Sequence, residues 1–463
     1  MLHLDYDITR LKGADYNPRR IAADDLDRLA QSVRTLGLIK PLIVRGDLLV
    51  AGHQRTKALR HMGETKAPVY VLPTDTTTYD EVRFNQLHNG TDMDCGKENC
   101  RISGNIALGY QTVPIERVTG DLKSPLAVVR HEIASLIRKY GPWGGVVATQ
   151  DGRVIHCGQY ALAAMLTGTP LTVYGIATDR EAEYRAFLDR QYGVFSYDGL
   201  KRDTCIQTFA QMMRLRDGPS GRQQRSTLYE TMAYPWMVDN PTARVIDFGS
   251  GQGDYAEKLR KEGFNIHDVE LFRRSKGRNA IDMRAVNRMI DRMCQELVTI
   301  GRYDAVVCDS VMNSVDSLEA ESAVLTVLNL LAKNGGALFI SGRKMERTES
   351  LMRYTEHTGK ARYVEFLDEH GFSALYRKGN WFYQKFHDEG QMNDLLAAHS
   401  FEVVEHERKV SSTSFQVTAR KIADLPLDQI VKACEFEFNM TVGTERRIGR
   451  HEDVIAAARR LYG

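Results

Sequence analysis

The sequence predicts an α/β protein built in two dissimilar halves, and three observations carry that expectation. From about Arg244 to Lys421, short apolar runs alternate with helical periodicity in the order strand, glycine turn, helix, strand, the pattern of a parallel, doubly wound sheet. The first 190 residues instead mix short β stretches with amphipathic helices, as in an α+β module. That module recurs within itself, so the N-terminal half reads as one copy followed by a degenerate second copy.

The 463 residues exceed one ordinary domain, and 43% hydrophobic with 26% charged residues is enough for several real cores. Sixty-two Lys and Arg against 60 Asp and Glu leave a formal charge of +2, so any nucleic-acid surface must be local. One candidate is the tail, where Arg446, Arg447, Arg450, Arg459 and Arg460 cluster; a solvated helix face explains such a run equally well. No apolar run approaches the ~18 residues of a membrane span, and MLHLDYDITRLKG lacks a secretory signal's apolar stretch, so a cytoplasmic protein without a membrane partner is expected. Seven scattered cysteines agree with a reducing compartment. His88, Cys95 and Cys100 are zinc-type donors, but their spacing fits no standard zinc pattern and no metal is expected.

In the C-terminal half, the strand Arg244–Phe248 runs into GSGQG and then a helical pattern. Gly249, Gly251 and Gly253, with Ser250 between the first two, let the backbone turn sharply and approach a ligand, and the helix behind them presents free N–H groups. FNIHDVEL then ends at Glu270 and Leu271, seventeen residues after Gly253, where a carboxylate can accept both hydroxyls of a ribose. NAIDM brings Asp282 and Met283 after another short strand, and YDAVVCDS brings Asp309 and Ser310.

This succession resembles the class I S-adenosylmethionine (SAM) dependent methyltransferase family across about 175 residues. The resemblance implies a seven-stranded, Rossmann-like sheet. DFGSGQG would be the first motif, with Asp247 toward the methionine amino end, Glu270 on the ribose, Asp282 and Met283 along the adenine, and Asp309 facing the methyl group. WFYQKFH, QMNDLLAAHSF, FEVVEHE and SFQVTARKI match the family's closing strand, helix and antiparallel hairpin. A dinucleotide-binding domain would use GxGxxG rather than GSGQG and has no place for the hairpin. Positioning a nucleophile in line with an activated methyl, with proton removal where needed, is most of this chemistry; the candidate catalytic groups are Asp309, Ser310 and Asn313. Asp309-Ser310-Val311-Met312 is not the Pro-Pro motif of amino-methylating base methylases. No cysteine follows a proline, which excludes the cytosine carbon-5 signature.

In the N-terminal half, Asn17-Pro18-Arg19, a helix from Leu26 to Leu36, the strand KPLIV and the turn AGHQRTKAL resemble the ParB and sulfiredoxin-like family over about 75 residues. The resemblance implies that Gly52, His53, Gln54, Arg55 and Thr56 gather a nucleotide's phosphates, CTP or ATP, at a helix N-terminus, with Arg19 and Arg55 as cationic partners. Members include DNA-partition clamps, phosphotransfer enzymes and parts of phage-type modification proteins. No helix-turn-helix pattern follows, which disfavours partition. Aligned without gaps, HCGQYALAAMLTG lies under AGHQRTKALRHMG, with Gln159 under Gln54 and Tyr160 under Arg55. The second copy has therefore lost its clamp and reads as a stiffener, or as one wall of a joint cleft.

The expected boundaries are 1–95 (ParB-like), 96–190 (second copy), 191–240 (linker and helical segment), 241–422 (methyltransferase) and 423–463 (basic helical tail). The combination implies a SAM-dependent transferase, of phage or mobile-element type, acting on nucleic acid, DNA before RNA, or on a modified base or nucleotide. An alternative makes the ParB-like domain a nucleotide switch or phosphotransferase with the methyltransferase fold as sensor; a third makes the acceptor a small molecule or protein.

Overall fold

The computed structural model describes residues 2–17, 21, 23–90, 99–124, 127–188, 215, 225–275, 281–346, 370–377, 380–407, 413–442 and 446–463. The chain divides into two compact units, Met1–Thr204 with Thr348–Trp381, and Cys205–Arg347 with Phe382–Gly463.

The first unit contains two sheets of one design. Strands β1 (Leu2–Asp7), β2 (Lys12–Gly13), β3 (Leu42–Arg45), β4 (Leu48–Ala51) and β5 (Lys66–Val71) lie in the order β1-β5-β3-β4-β2. β3 is parallel to β5 and antiparallel to β4, and β1 is antiparallel to β5. Helices α1 (Ala23–Leu36), α2 (His53–His61) and α3 (Thr78–Gly90) connect and follow them. Beyond the short strands β6 (Arg101–Ile102) and β8 (Val118–Thr119), the second copy holds β7 (Gly109–Val113), β9 (Gly145–Thr149), β10 (Val154–His156) and β11 (Leu171–Ile176), ordered β10-β9-β11-β7. Here β9 is parallel to β11 and antiparallel to β10, and β11 is antiparallel to β7, so β4-β3-β5-β1 is repeated in order and direction. Its helices are α4 (Ala127–Tyr140), α5 (Gly158–Thr167) and α6 (Glu181–Leu188). The gapless alignment places Cys157 under Gly52, and both residues turn into their helix through left-handed backbone, at φ +62° and +94°. Glycine adopts that conformation freely, whereas the cysteine is strained there.

The copies share buried apolar packing. Tyr70 and Phe84 of the first pack in a single cluster with Trp143, Tyr160 and Leu162 of the second, and the Phe84 and Trp143 rings meet edge to face with centroids 5.1 Å apart. Across the same junction Arg83 of α3 reaches Asp80 at 2.8 Å and Glu132 of α4, while Lys139 of α4 reaches Asp80 at 2.6 Å.

The second unit opens with helical residues ending in α7 (Tyr234–Asp239). Four parallel strands follow, β12 (Arg244–Phe248), β13 (Asn265–Val269), β14 (Tyr303–Cys308) and β15 (Ala332–Lys344), in the order β13-β12-β14-β15. The helices α8 (Asp254–Lys261), α9 (Met283–Thr299) and α10 (Leu318–Leu331) connect them. β14 is buried along almost its whole length, as a parallel strand covered on both faces must be. After β16 (Phe372–Arg377), which falls in the first unit, the sheet continues through β17 (Asn380–His387), then α11 (Glu389–Ala398) leads to the hairpin of β18 (Phe401–His406) and β19 (Ser414–Lys421), with β19 antiparallel to β15.

The doubly wound sheet is thus as expected, with one difference. The short strand expected before Asp282 is, among the described residues, a single bridge between Arg274 and Ile281, because Asp282 already caps α9, its carboxylate accepting the N–H of Ala285 at 3.0 Å. Two segments also prove integral to the unit. Leu228, Tyr229, Met232 and Met237, from the segment read as linker and helix, pack against Val245, Val307 and Phe339. In the basic tail, α12 (Leu427–Glu437) lies on α10, and α13 (His451–Tyr462) lies on α9 and α12. Arg450 there is committed to Asp291 and Asp453, whereas Arg446, Arg447, Arg459 and Arg460 are exposed.

Candidate functional site

The second unit gathers carboxylates around a glycine turn at the carboxyl ends of β12 and β13, where open α/β sheets bind ligands. Gly249, Gly251 and Gly253 all have positive φ, and Gly253 caps α8. At Gly249 a Cβ would lie 2.2 Å from the Val311 side chain; at Gly251 it would meet only open space, as a cradle for a ligand requires. Glu270 stands one residue beyond β13 and grips this turn, accepting the N–H of Gly251 at 2.7 Å and that of Phe272 at 2.8 Å. Leu271 beside it is buried.

Asp247, the penultimate residue of β12, is buried. Tyr229 donates its hydroxyl to Oδ2 at 2.6 Å, and Oδ1 is buried without a partner. Burial pushes the Asp247 carboxyl up to about 8, aided by the charges of Asp268, Asp309 and Glu270 and opposed by the Tyr229 bond. Burial likewise raises Glu270, against its two backbone N–H bonds. Glu437, from α12, is raised to about 8 by burial and by its acidic neighbours Asp316 and Glu270, so α12 contributes a carboxyl to the same field. A partnerless buried oxygen and a surplus of carboxylates fit a ligand that carries positive charge and hydrogen-bond donors.

Asp309 and Ser310 follow β14 directly. Ser341 of β15 donates to Asp309 Oδ1 at 2.7 Å and accepts the N–H of Ser310 at 2.8 Å, and Ser310 holds a strained φ of +65°. Asn313 lies in the same loop, its carbonyl accepting the N–H of Lys385 at 3.2 Å. Asp282 meets the group through its backbone N–H, which donates to the Arg273 carbonyl at 2.8 Å, and Met283 is buried behind it.

Sequence reasoning missed Tyr229 and Arg273. Tyr229 lies on a helix ahead of the first strand, its ring stacked on Tyr255 with centroids 4.2 Å apart. Arg273 donates to the Gln252 carbonyl at 2.7 Å and to the Ser250 hydroxyl at 3.1 Å while pairing with Asp268, which fastens the glycine turn to β13. Cys308 is a buried strand residue with its thiol pushed well up by burial.

In the first unit, the turn into α2 is formed as expected, with the side chains of His53, Arg55 and Thr56 buried. Arg55 is buried and donates to the carbonyls of Lys40 and Pro41, with His88 beside its guanidinium. His53 accepts the N–H of Ala14 at 3.2 Å, and Thr56 donates to the Gly52 carbonyl at 3.1 Å; Gln54 is partly exposed. In this conformation Arg55 fastens the Lys40–Pro41 backbone rather than facing outward as a clamp. Arg19 lies outside the described residues, as does Cys95. Cys100 is buried with Sγ 3.6 Å from the Gly158 carbonyl, and among the described residues no group of three His, Cys, Asp or Glu is placed to hold a metal. Lys40, Tyr70 and His88 of the first copy and Trp143, Cys157 and Tyr160 of the second do line a small common cleft.

Comparison with known proteins agrees with both halves. Residues 221–406 match the methyltransferase domain family, and residues 4–85 match the ParB N-terminal domain family. The chain therefore carries a segment that matches a ParB N-terminal domain, followed by a segment that matches a methyltransferase domain. A probable chromosome 2-partitioning protein ParB of Deinococcus radiodurans is 25% identical over 192 residues, 39% of this chain and 64% of that protein. A probable chromosome-partitioning protein ParB of Xylella fastidiosa is 39% identical over 77 residues, 15% of this chain and 25% of that protein. The chain thus spans less than two thirds of either relative. Among solved structures, 1,6-didemethyltoxoflavin-N1-methyltransferase of Burkholderia thailandensis, with bound 1,6-didemethyltoxoflavin and S-adenosylhomocysteine, is similar at 16% identity and a TM-score of 0.29, over 43% of this chain and 80% of that one. Among the described residues no helix is long and apolar enough to cross a membrane.

Proposed function

We propose that this cytoplasmic protein transfers the methyl group of SAM to a nucleic acid, DNA before RNA, or to a modified base or nucleotide bound by its ParB-like region. The transferase part rests on the glycine turn held by Glu270 beside the partnerless oxygen of Asp247. The acceptor rests on the company of the two matched domains. Asp247, Ser250, Gly251, Glu270 and Asp282 would hold SAM, which supplies a methyl already activated for attack, and Asp309, Ser310 and Asn313 would face the acceptor. Duplex DNA would have to offer its target base flipped out of the stack. Mass spectrometry of DNA, RNA and free nucleotides incubated with the protein and labelled SAM tests the reading, which fails if calorimetry detects no SAM binding. Uptake of CTP or ATP by the first copy is the companion expectation, checked by calorimetry with each nucleotide.

The Asp247 carboxyl gives a pH signature. With its ordinary value near 3.9 raised to about 8, it holds a proton at pH 7, and a bound cation favours the charged form and expels that proton. SAM affinity should therefore rise with pH from 6.5 to about 8 and level off above it. Titrations in buffers of different ionisation enthalpy should show proton release at pH 7. A flat profile would remove Asp247 from the cation's surroundings.

A further inference from the structure

A second constellation lies on the same edge of the sheet, away from the glycine turn. His387 ends β17 and pairs with Lys344, which ends the parallel strand β15. Its Nε2 lies 2.5 Å from Oε1 of Glu321, a buried residue of α10, and Lys385 stands 3.8 Å from that oxygen. His387 is fully buried, yet its Nδ1 has no partner. The residue lines a cleft with Lys344, Glu389, His406, Glu407 and Gln416, and the Gln416 Oε1 is a second buried atom there without a donor. The cleft adjoins the candidate catalytic loop through the Lys385 N–H bond to the Asn313 carbonyl and through Ser341, which precedes Lys344 on β15 and holds Asp309.

A carboxylate bonded to one imidazole nitrogen fixes the tautomer, because the shared proton sits on Nε2 and the lone pair is left on Nδ1. Burial holds the ring below the usual histidine range, against Glu321, so it is neutral and able to take a proton. Two buried acceptors without donors call for a ligand group that donates.

We infer that this cleft receives the methyl acceptor, that the accepting group is an amine or hydroxyl rather than a carbon or thioether, and that His387, positioned by Glu321, removes its proton. The inference rests on the transferase reading above. In the step, the bond from the acceptor nitrogen or oxygen to the methyl carbon forms as the carbon–sulfur bond breaks, and its electron pair returns to sulfur. The acceptor's proton passes to Nδ1, and the resulting imidazolium is balanced by the Glu321 carboxylate.

The test compares wild type with His387→Gln and Glu321→Gln in the full chain. Calorimetry with SAM reports folding and the transferase reading together, and both variants should bind within about threefold of wild type. Nitrogen-15 NMR of the imidazole should show Nδ1 unprotonated in wild type and a mixed tautomer in Glu321→Gln. With labelled SAM and the DNA, RNA and nucleotide panel, His387→Gln should lose at least ~100-fold in kcat with KM little changed. A protonated Nδ1 in wild type, or a His387→Gln variant within a few-fold of wild-type kcat, would overturn the assignment. Wild type that binds SAM but methylates nothing in the panel would remove the nucleic-acid reading, and the NMR result would still decide His387. If His387→Gln fails to bind SAM, Glu321→Gln carries the kinetic comparison with an expected loss of about tenfold or more.

Discussion

Glu270→Ala is expected to weaken SAM binding by about 30- to 150-fold, some 2–3 kcal/mol, the size of a lost hydrogen bond to a charged group. The carboxylate does two things in this structure. It closes the glycine turn by accepting the N–H of Gly251, and it braces the next turn by accepting that of Phe272. Alanine removes both acceptors from a buried place, so the loop loosens as well as losing its ligand contact. Glu270→Gln separates the contributions: its amide oxygen can still accept one N–H, so the melting temperature should stay near wild type while most of the affinity loss remains. Calorimetric titration with SAM, alongside thermal unfolding of each variant, reads both quantities. Binding by Glu270→Ala within threefold of wild type would mean that the carboxylate serves the turn alone.

That site was legible in the sequence where chemistry and chain order coincide. Asp247, the three glycines, Glu270 and Asp309 each sit at the end of a strand, so period and punctuation place them together before any packing is known. The residues that fasten them were not legible. Tyr229 reaches Asp247 from a helix ahead of the first strand, and Arg273 acts through a carbonyl and a hydroxyl, contacts that no spacing rule encodes. The duplicated module shows the same division. Its periodicity and paired turns at Gly52 and Cys157 could be aligned by eye, but the inward turn of Arg55 toward the Lys40 and Pro41 carbonyls depends on tertiary packing. Likewise, the segment before Arg244 and the tail after Lys421 looked peripheral because their apolar faces find partners only in the folded unit, the first on the sheet and the second on α9 and α10.

The largest stability effect should come from the junction of the two ParB-like copies. Arg83 is about 10% exposed and bridges Asp80 of its own helix to Glu132 of α4, whose side chain is fully enclosed. Removing one member of such a pair leaves the other charge buried and uncompensated, which costs about 3–5 kcal/mol. Arg83→Ala should therefore lower the stability of the first unit by that amount, a large share of the ~5–15 kcal/mol of a typical domain. Arg83→Met with Glu132→Leu should recover most of it, because apolar side chains of similar volume need no counter-charge. Asp80 adds a pH signature. Lys139, Tyr140 and Arg83 hold its carboxyl at about 2 against the opposing effect of burial. Its contribution is complete above the ordinary carboxylate value near 3.9 and is lost as pH falls from there toward 2. Thermal unfolding between pH 2 and pH 6 should show that loss in wild type and a shallower slope in Asp80→Asn. If Arg83→Ala unfolds within 1 kcal/mol of wild type, the ion pairs are surface-like in strength, and the apolar clusters around Trp143 and around Leu36 and Ile176 carry the junction of the copies.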